Sequence, residues 1–208
     1  MSRKVFDKIT SGIGIVLVAV LLVAGGLMTW GHSYATSSVR NQLAPQQIYF
    51  PAKAAFKNAK AGTEVTPQMI PYLEKYAGQQ VLTGAQAAAY ADHFIAYHLA
   101  AMPYKGVYSK VSAAAMAAKP GSPAYTQLSE LKTTVFQGTT LRGLLLEAYG
   151  FSKIGSIMMV GAIASFILAA ITAILVGLGF WHAARTAEEE TLFSQRARRA
   201  GGTAPTAA

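Results

Sequence analysis

The chain has 208 residues, 52% of them apolar and 13% charged, with a formal net charge of +9 and no cysteine. Without cysteine there is no disulfide framework, no thiolate nucleophile and no Cys-ligated metal or iron–sulfur centre. The charge divides as +2 over 1–11, +6 over 32–153 and +1 over 182–208; no end or loop is strongly polarised, and no nucleic-acid partner is expected.

After a short end carrying Arg3, Lys4, Asp7 and Lys8, Gly12 to Gly31 gives 20 uncharged residues. That is the length a lipid-crossing helix needs, because only intrahelical hydrogen bonds satisfy the backbone there. Ser33-Tyr34-Ala35 has the small-x-small form of a signal-peptidase site just beyond it. The apolar run exceeds the roughly 7 to 15 residues of a signal h-region, so an uncleaved anchor is the preferred reading.

Segment 32–153 is one small domain's worth of chain. Pro45 and Pro51 around Gln46-Gln47-Ile48-Tyr49-Phe50 predict an extended connector over Asn41 to Phe56. Pro71 suits the first position of a short helix running to about Ala77, with Gly78 as its stop and Tyr72, Leu73 and Tyr76 on one face. Thr83 and Gln86 have capping-box spacing before the unbroken run Ala85 to Met102, which Pro103 ends. Tyr90, Phe94, Tyr97 and Ala101 are its expected buried face, joined by Ala87, Ala91, Ile95 and Met102. A turn at Pro103-Tyr104-Lys105-Gly106 follows, then an alanine-rich helix capped by Ser109 and closed by Pro120-Gly121. Ser122-Pro123 opens the next helix, with Tyr125, Leu128, Leu131 and Val135 apolar and Gly138 as its stop. Thr139 or Thr140 caps a last helix expected to run from Leu141 through Trp181, bent near Gly150 or Gly155.

Ile154 to Trp181 holds 28 consecutive residues without a charged side chain. As a helix it reaches about 42 Å, more than a hydrocarbon core of roughly 30 Å requires. The tail, 182–208, contains Glu188-Glu189-Glu190 before Arg196, Arg198 and Arg199, read as a short solvated helix with a disordered end from Gly201. Lysine and arginine are denser at the two ends than in the middle, which predicts both termini in the cytoplasm and 32–153 outside it. Trp30 and Trp181 then act as interface anchors. The expected fold is all-α: two transmembrane helices, 12–31 and 154–181, flanking a helical extracytoplasmic domain in a plasma (inner) membrane.

Chemistry-bearing patterns are sparse. His93 and His98 are five apart, about 140° around a helix, whereas chelation from one helix wants spacing near four, so no metal site is expected. Ser129-Glu130-Leu131-Lys132 fits Ser-x-x-Lys without its companion motifs, and Gly150-Phe151-Ser152-Lys153 lacks the second glycine of a nucleophile elbow. No phosphate-cradling loop occurs, and neither catalytic residues nor cofactors are expected. The second span instead carries Gly161, Ser165, Ala169, Ala173 and Gly177 at four-residue intervals, the pattern of a helix-packing face. Composition alone is the competing explanation. A partner stripe in the first span is Gly12, Ala19 and Gly26.

Asn41-Gln42-Leu43 with Gln46 to Pro51, the segment Thr66 to Leu99, and Lys132 to Gly143 together resemble uncharacterised two-span membrane proteins of actinobacteria. The resemblance implies a cell-envelope setting and no activity, cofactor or site residue. The function expected is that of a non-enzymatic accessory or scaffolding subunit, with the bilayer and an integral-membrane protein or a second copy as partners. The alternatives are a ligand-sensing module and, third, an envelope enzyme.

Overall fold

The computed structural model describes residues 3–185, with side chains from Val5 onward; the tail helix and disordered end expected over 186–208 lie outside the described residues. The described chain is all-α, with one isolated antiparallel bridge at Tyr49 and Gln80. It forms two compact units, Gly31–Ile157 and the pair made by the described parts of Met1–Trp30 and Met158–Ala208.

Two helices dominate. α1 spans Arg3–Leu43 and the last helix, α7, spans Pro123–Arg185; at 1.5 Å per residue they are about 62 and 95 Å long. Each contains an 18-residue window of mean hydropathy 2.5, long and apolar enough to cross a membrane. Between them lie α2 (Lys53–Lys57), α3 (Ile70–Leu73), α4 (Gly84–Tyr90), α5 (Ala96–Ala101) and α6 (Tyr108–Ala117).

Several local signals act as the sequence predicts. Thr83 Oγ1 accepts the Gln86 N–H at 3.2 Å while Gln86 Oε1 accepts the Thr83 N–H at 3.1 Å, the reciprocal capping box. Ser122 Oγ accepts the Tyr125 N–H at 3.2 Å at the start of α7. The connector is extended only over 48–52, since α1 runs to Leu43, a 3-10 turn covers Ala44–Gln46 and Gln47 closes that turn in the left-handed region. Its backbone groups pair with the segment after Gly78: the Phe50 N–H donates to the Gln79 carbonyl at 2.9 Å and the Val81 N–H to the Ile48 carbonyl at 2.8 Å.

Two expectations need correction. Gly138 does not stop a helix, and neither Thr139 nor Thr140 starts one, because α7 continues through all four of its domain glycines. Gly138 faces Leu99, where a Cβ would lie 3.0 Å from a leucine methyl, so glycine serves close approach rather than termination. Ser109 is not a cap; α6 starts after Val107 without a side-chain cap bond.

The buried face of the middle helix matches the one expected except toward its end. Ala87, Ala91, Ile95 and Leu99 are the buried row, with Tyr90, Phe94 and Met102 half-buried against the core, whereas Tyr97 and Ala101 are exposed. The cause is a π-helical turn, Ala91–Ile95, joining α4 to α5. Its i→i+5 bonding widens the turn, offsetting the drift that a four-residue interval accumulates on an α-helix and holding the four positions on one face. They meet Val39 and Leu43 of α1 and Leu145 of α7 in a single core. Each buried leucine or valine contributes about 1.5 to 3 kcal/mol. Phe50 sits between Tyr76 (5.0 Å) and Tyr90 (5.4 Å, edge-on), tying the extended segment to the helices.

The 103–106 turn places Tyr104, Lys105 and Gly106 in succession at positive φ. A Cβ on Gly106 would collide with the Leu99 carbonyl, whereas nothing lies within 4 Å of one on Gly121, also at positive φ. Gly106→Ala should therefore cost about 2 kcal/mol or more and Gly121→Ala about 1 kcal/mol, read as the difference in thermal unfolding of the two variants; equal losses would show that Leu99 yields freely.

Burial, with a smaller contribution from Glu64, raises the Tyr90 phenol above its ordinary value of 10.0. The folded state then holds that proton at a pH where the unfolded state has lost it. Stability from this group is intact below about pH 10 and falls as pH rises further toward the folded value. Melts between pH 9 and 11 should slope less for Tyr90→Phe than for the parent, and parallel slopes would remove Tyr90 as the cause.

Candidate helix-packing interface

In the helix-pair unit, α1 turns a continuous row inward: Asp7, Ser11, Gly14, Val18, Leu21, Gly25 and Met28 are buried or half-buried. On α7 the matching row is Met158, Ala162, Ser165, Ala169, Thr172, Val176, Gly179 and Ala183. Both rows advance by alternate steps of four and three. This is the heptad repeat, which stays on one helix face with a drift of only about 20° every seven residues. Small residues let the backbones come together. A Cβ on Gly25 would lie 2.8 Å from the Phe166 ring, one on Gly14 would strike the Val176 side chain, and one on Gly179 the Ser11 hydroxyl.

The five small residues singled out in the second span divide across this geometry. Ser165 and Ala169 are buried at 9% and 2% exposure and belong to the seam. Gly161 is half-buried on its flank, where a Cβ would lie 2.7 Å from the Met28 sulfur. Ala173 and Gly177 are exposed, with open space around Gly177. The reason is angular: a step of four residues overshoots one turn by about 40°, so four such steps wind about 160° around the helix. In the first span Ala19 and Gly26 are exposed and Gly12 is half-buried, with nothing within 4 Å of a Cβ at either glycine. The glycines in contact, Gly14, Gly25 and Gly179, escape sequence reasoning that follows one residue class; the alternating four-three spacing of small and polar residues from Asp7 onward carries them.

The seam ends in polar groups. His182 Nδ1 lies 2.9 Å from Asp7 Oδ2, and the aspartate side chain is one-fifth exposed. Thr10, Ser11 and Thr172 stand around a cavity of about 220 Å³ beside this pair. The Trp181 ring is exposed and carries the Arg185 guanidinium 4.2 Å from its centroid. Trp30 is 68% exposed, a ring on the outer surface of the pair.

In the Gly31–Ile157 unit the three histidines and the Asp92–Arg142 pair are held in structural contacts. His93 stacks on Tyr72 with ring centroids 3.6 Å apart, and His98 Nδ1 is 2.8 Å from the Phe94 carbonyl. Asp92 accepts from Arg142 at 2.7 Å. His32 Nδ1 donates to the Gly155 carbonyl at 2.9 Å, next to Ala35, whose Cβ would stand 2.9 Å from one on Gly155. Ser129, Lys132, Ser152 and Lys153 all lie within α7, and Ser152 faces Gly84. No group of three or more His, Asp or Glu that could hold a metal occurs among the described residues.

Substitution separates seam from surface. Gly25→Ile and Ala169→Ile should each force the two helices apart and lower the melting temperature of the detergent-solubilised chain by several degrees, while Gly177→Ile leaves it unchanged. A cysteine pair at Ser11 and Gly179 should cross-link in the parent and lose that cross-link in Gly25→Ile; retention in every variant would mean the seam tolerates a bulky side chain.

Set beside known proteins, the chain matches no protein-family model, no curated protein and no solved structure.

Proposed function

We propose that the chain is a two-span integral membrane protein whose helix pair anchors a helical domain, and that it serves without chemistry of its own as an accessory or scaffolding subunit of a cell-envelope assembly. The observation that carries the membrane anchoring is the surface of the pair. In the most apolar windows of α1 and α7 only 6% and 11% of residues are buried, so neither is the core helix of a water-soluble fold. Val16, Val23, Leu27, Ile157, Val160 and Ile174 are each more than half exposed. In water a continuous apolar belt of this kind is an aggregation liability; in a bilayer it is the lipid-facing surface.

Retention of the first helix, rather than its removal as a signal, is supported by Ala35. The residue is 2% exposed in the middle of a helix that continues to Leu43, whereas proteolysis favours exposed, irregular backbone. The basic residues of the two ends favour cytoplasmic termini, with the domain outside and the plasma membrane as the site. Ala173 and Gly177, left open on α7, are where an integral-membrane partner or a second copy approaches most closely.

Reporter fusions active only outside the cytoplasm should be active at Gly121 and silent at Gly201, and the chain should stay in the pellet after alkaline carbonate extraction. Activity at both positions would mean that the second helix does not cross. Release by carbonate would mean that neither does.

A further inference from the structure

We propose that a groove in the Gly31–Ile157 unit binds a small organic cation, an alkyl- or arylammonium group attached to an apolar body. This assignment is independent of which side of a membrane the unit occupies. One wall comes from the end of α1 and the 3-10 turn after it, as Val39, Gln42, Leu43 and Gln46; the other comes from α7, as Leu144, Glu147, Ala148 and Phe151. Both sets follow the offsets zero, three, four and seven, which gather four side chains on one helix face. Between them lies a cavity of about 260 Å³, room for about nine water-sized groups at roughly 30 Å³ each.

The lining dictates the chemistry. Val39 and Leu43 are 3% and 2% exposed and form a dry floor, while Leu144 and Phe151 stand up at its side, 53% and 38% exposed. Glu147 is the groove's one charged residue, and it makes no ion pair among the described residues. It stands out in a segment with eleven basic and five acidic residues, of which Asp92 is already taken by Arg142. A carboxylate only accepts hydrogen bonds. An anion is repelled there, and a neutral apolar molecule would strip water from the carboxylate without replacing it. An ammonium replaces that water, and Phe151, one helical turn from Glu147, offers an aromatic ring to the same charge. The Gln46 Nε2 donates to the Gln42 carbonyl at 3.2 Å, which turns its amide oxygen into a further acceptor at the rim.

The test uses the full chain purified in an uncharged detergent and titrated with 2-phenylethylammonium, against a micelle blank and the neutral isostere 2-phenylethanol. The ammonium should bind saturably and about tenfold or more tighter than the alcohol, a preference that Glu147→Gln abolishes and Phe151→Leu reduces about threefold. Glu147 is exposed, so thermal melts of Glu147→Gln should match the parent and exclude unfolding as the cause. Equal binding of amine and alcohol, unchanged preference in Glu147→Gln, or no saturation by about 10 mM amine would overturn the assignment.

Discussion

In the membrane setting proposed above, the helix pair depends on one constraint: two long apolar helices must associate without the hydrophobic drive that water supplies. In lipid the tails are as apolar as leucine, so burying leucine against leucine gains little and close van der Waals contact has to carry the association. Each heavy-atom contact is worth only about 0.1 to 0.2 kcal/mol, and the sum grows only if the backbones approach along a shared line. Gly14, Gly25, Ser165, Ala169 and Gly179 provide that line. The large side chains of both helices, by contrast, are mostly turned outward.

In the Gly31–Ile157 unit a different solution operates, and leucines and valines are buried in the ordinary way. Leu73, Val81, Val111 and Val135 have no measurable exposure. The stretch between α1 and α7 is built from short helices, 3-10 turns and one extended pairing, and its coherence rests on close approaches at glycine. Leu99 is held between Gly106 on one side and Gly138 on the other, while Gly84 admits Ser152 of α7. The π-turn keeps Ala87, Ala91, Ile95 and Leu99 aligned toward this core. A regular α-helix of the same sequence would rotate the later positions away.

Features whose cause is local were legible in the sequence. The capping box at Thr83 and Gln86, the Ser122 cap and the helix end at Pro103 each depend on residues within one turn of each other, and all of them are present. Glycine was harder to read because it has two uses. Gly78 and Gly121 take positive φ at segment ends as their neighbours predict, while Gly138 has a helical backbone and answers to Leu99, 39 residues earlier. Nothing within a few residues of Gly138 distinguishes the two. The π-turn is hidden for the same reason, since it answers to the core and not to local propensity. The helix-packing residues were legible in kind but not in phase: small residues do mark the seam, yet following them at a fixed interval of four leads around the helix from Gly161 to the open surface at Gly177.

That seam leaves a question of register, because small residues recur along it and a slip of one heptad, about 10 Å, would again set small against small. The polar end answers it. Asp7 meets His182, Ser11 meets Gly179, Gly14 meets Val176 and Gly25 meets Phe166, so the partners descend in order along two antiparallel helices. Sliding α1 by seven residues toward the apolar centre of α7 would carry the Asp7 carboxylate from His182 to the neighbourhood of Val176. There it would be desolvated without a partner, a cost of several kcal/mol that no gain in packing offsets. The hydrogen-bonded pair adds little attraction where it stands, half open to solvent on the histidine side. Its weight lies in the alternative it excludes: the apolar seam sets how closely the helices approach, and the Asp7–His182 pair sets which residues meet.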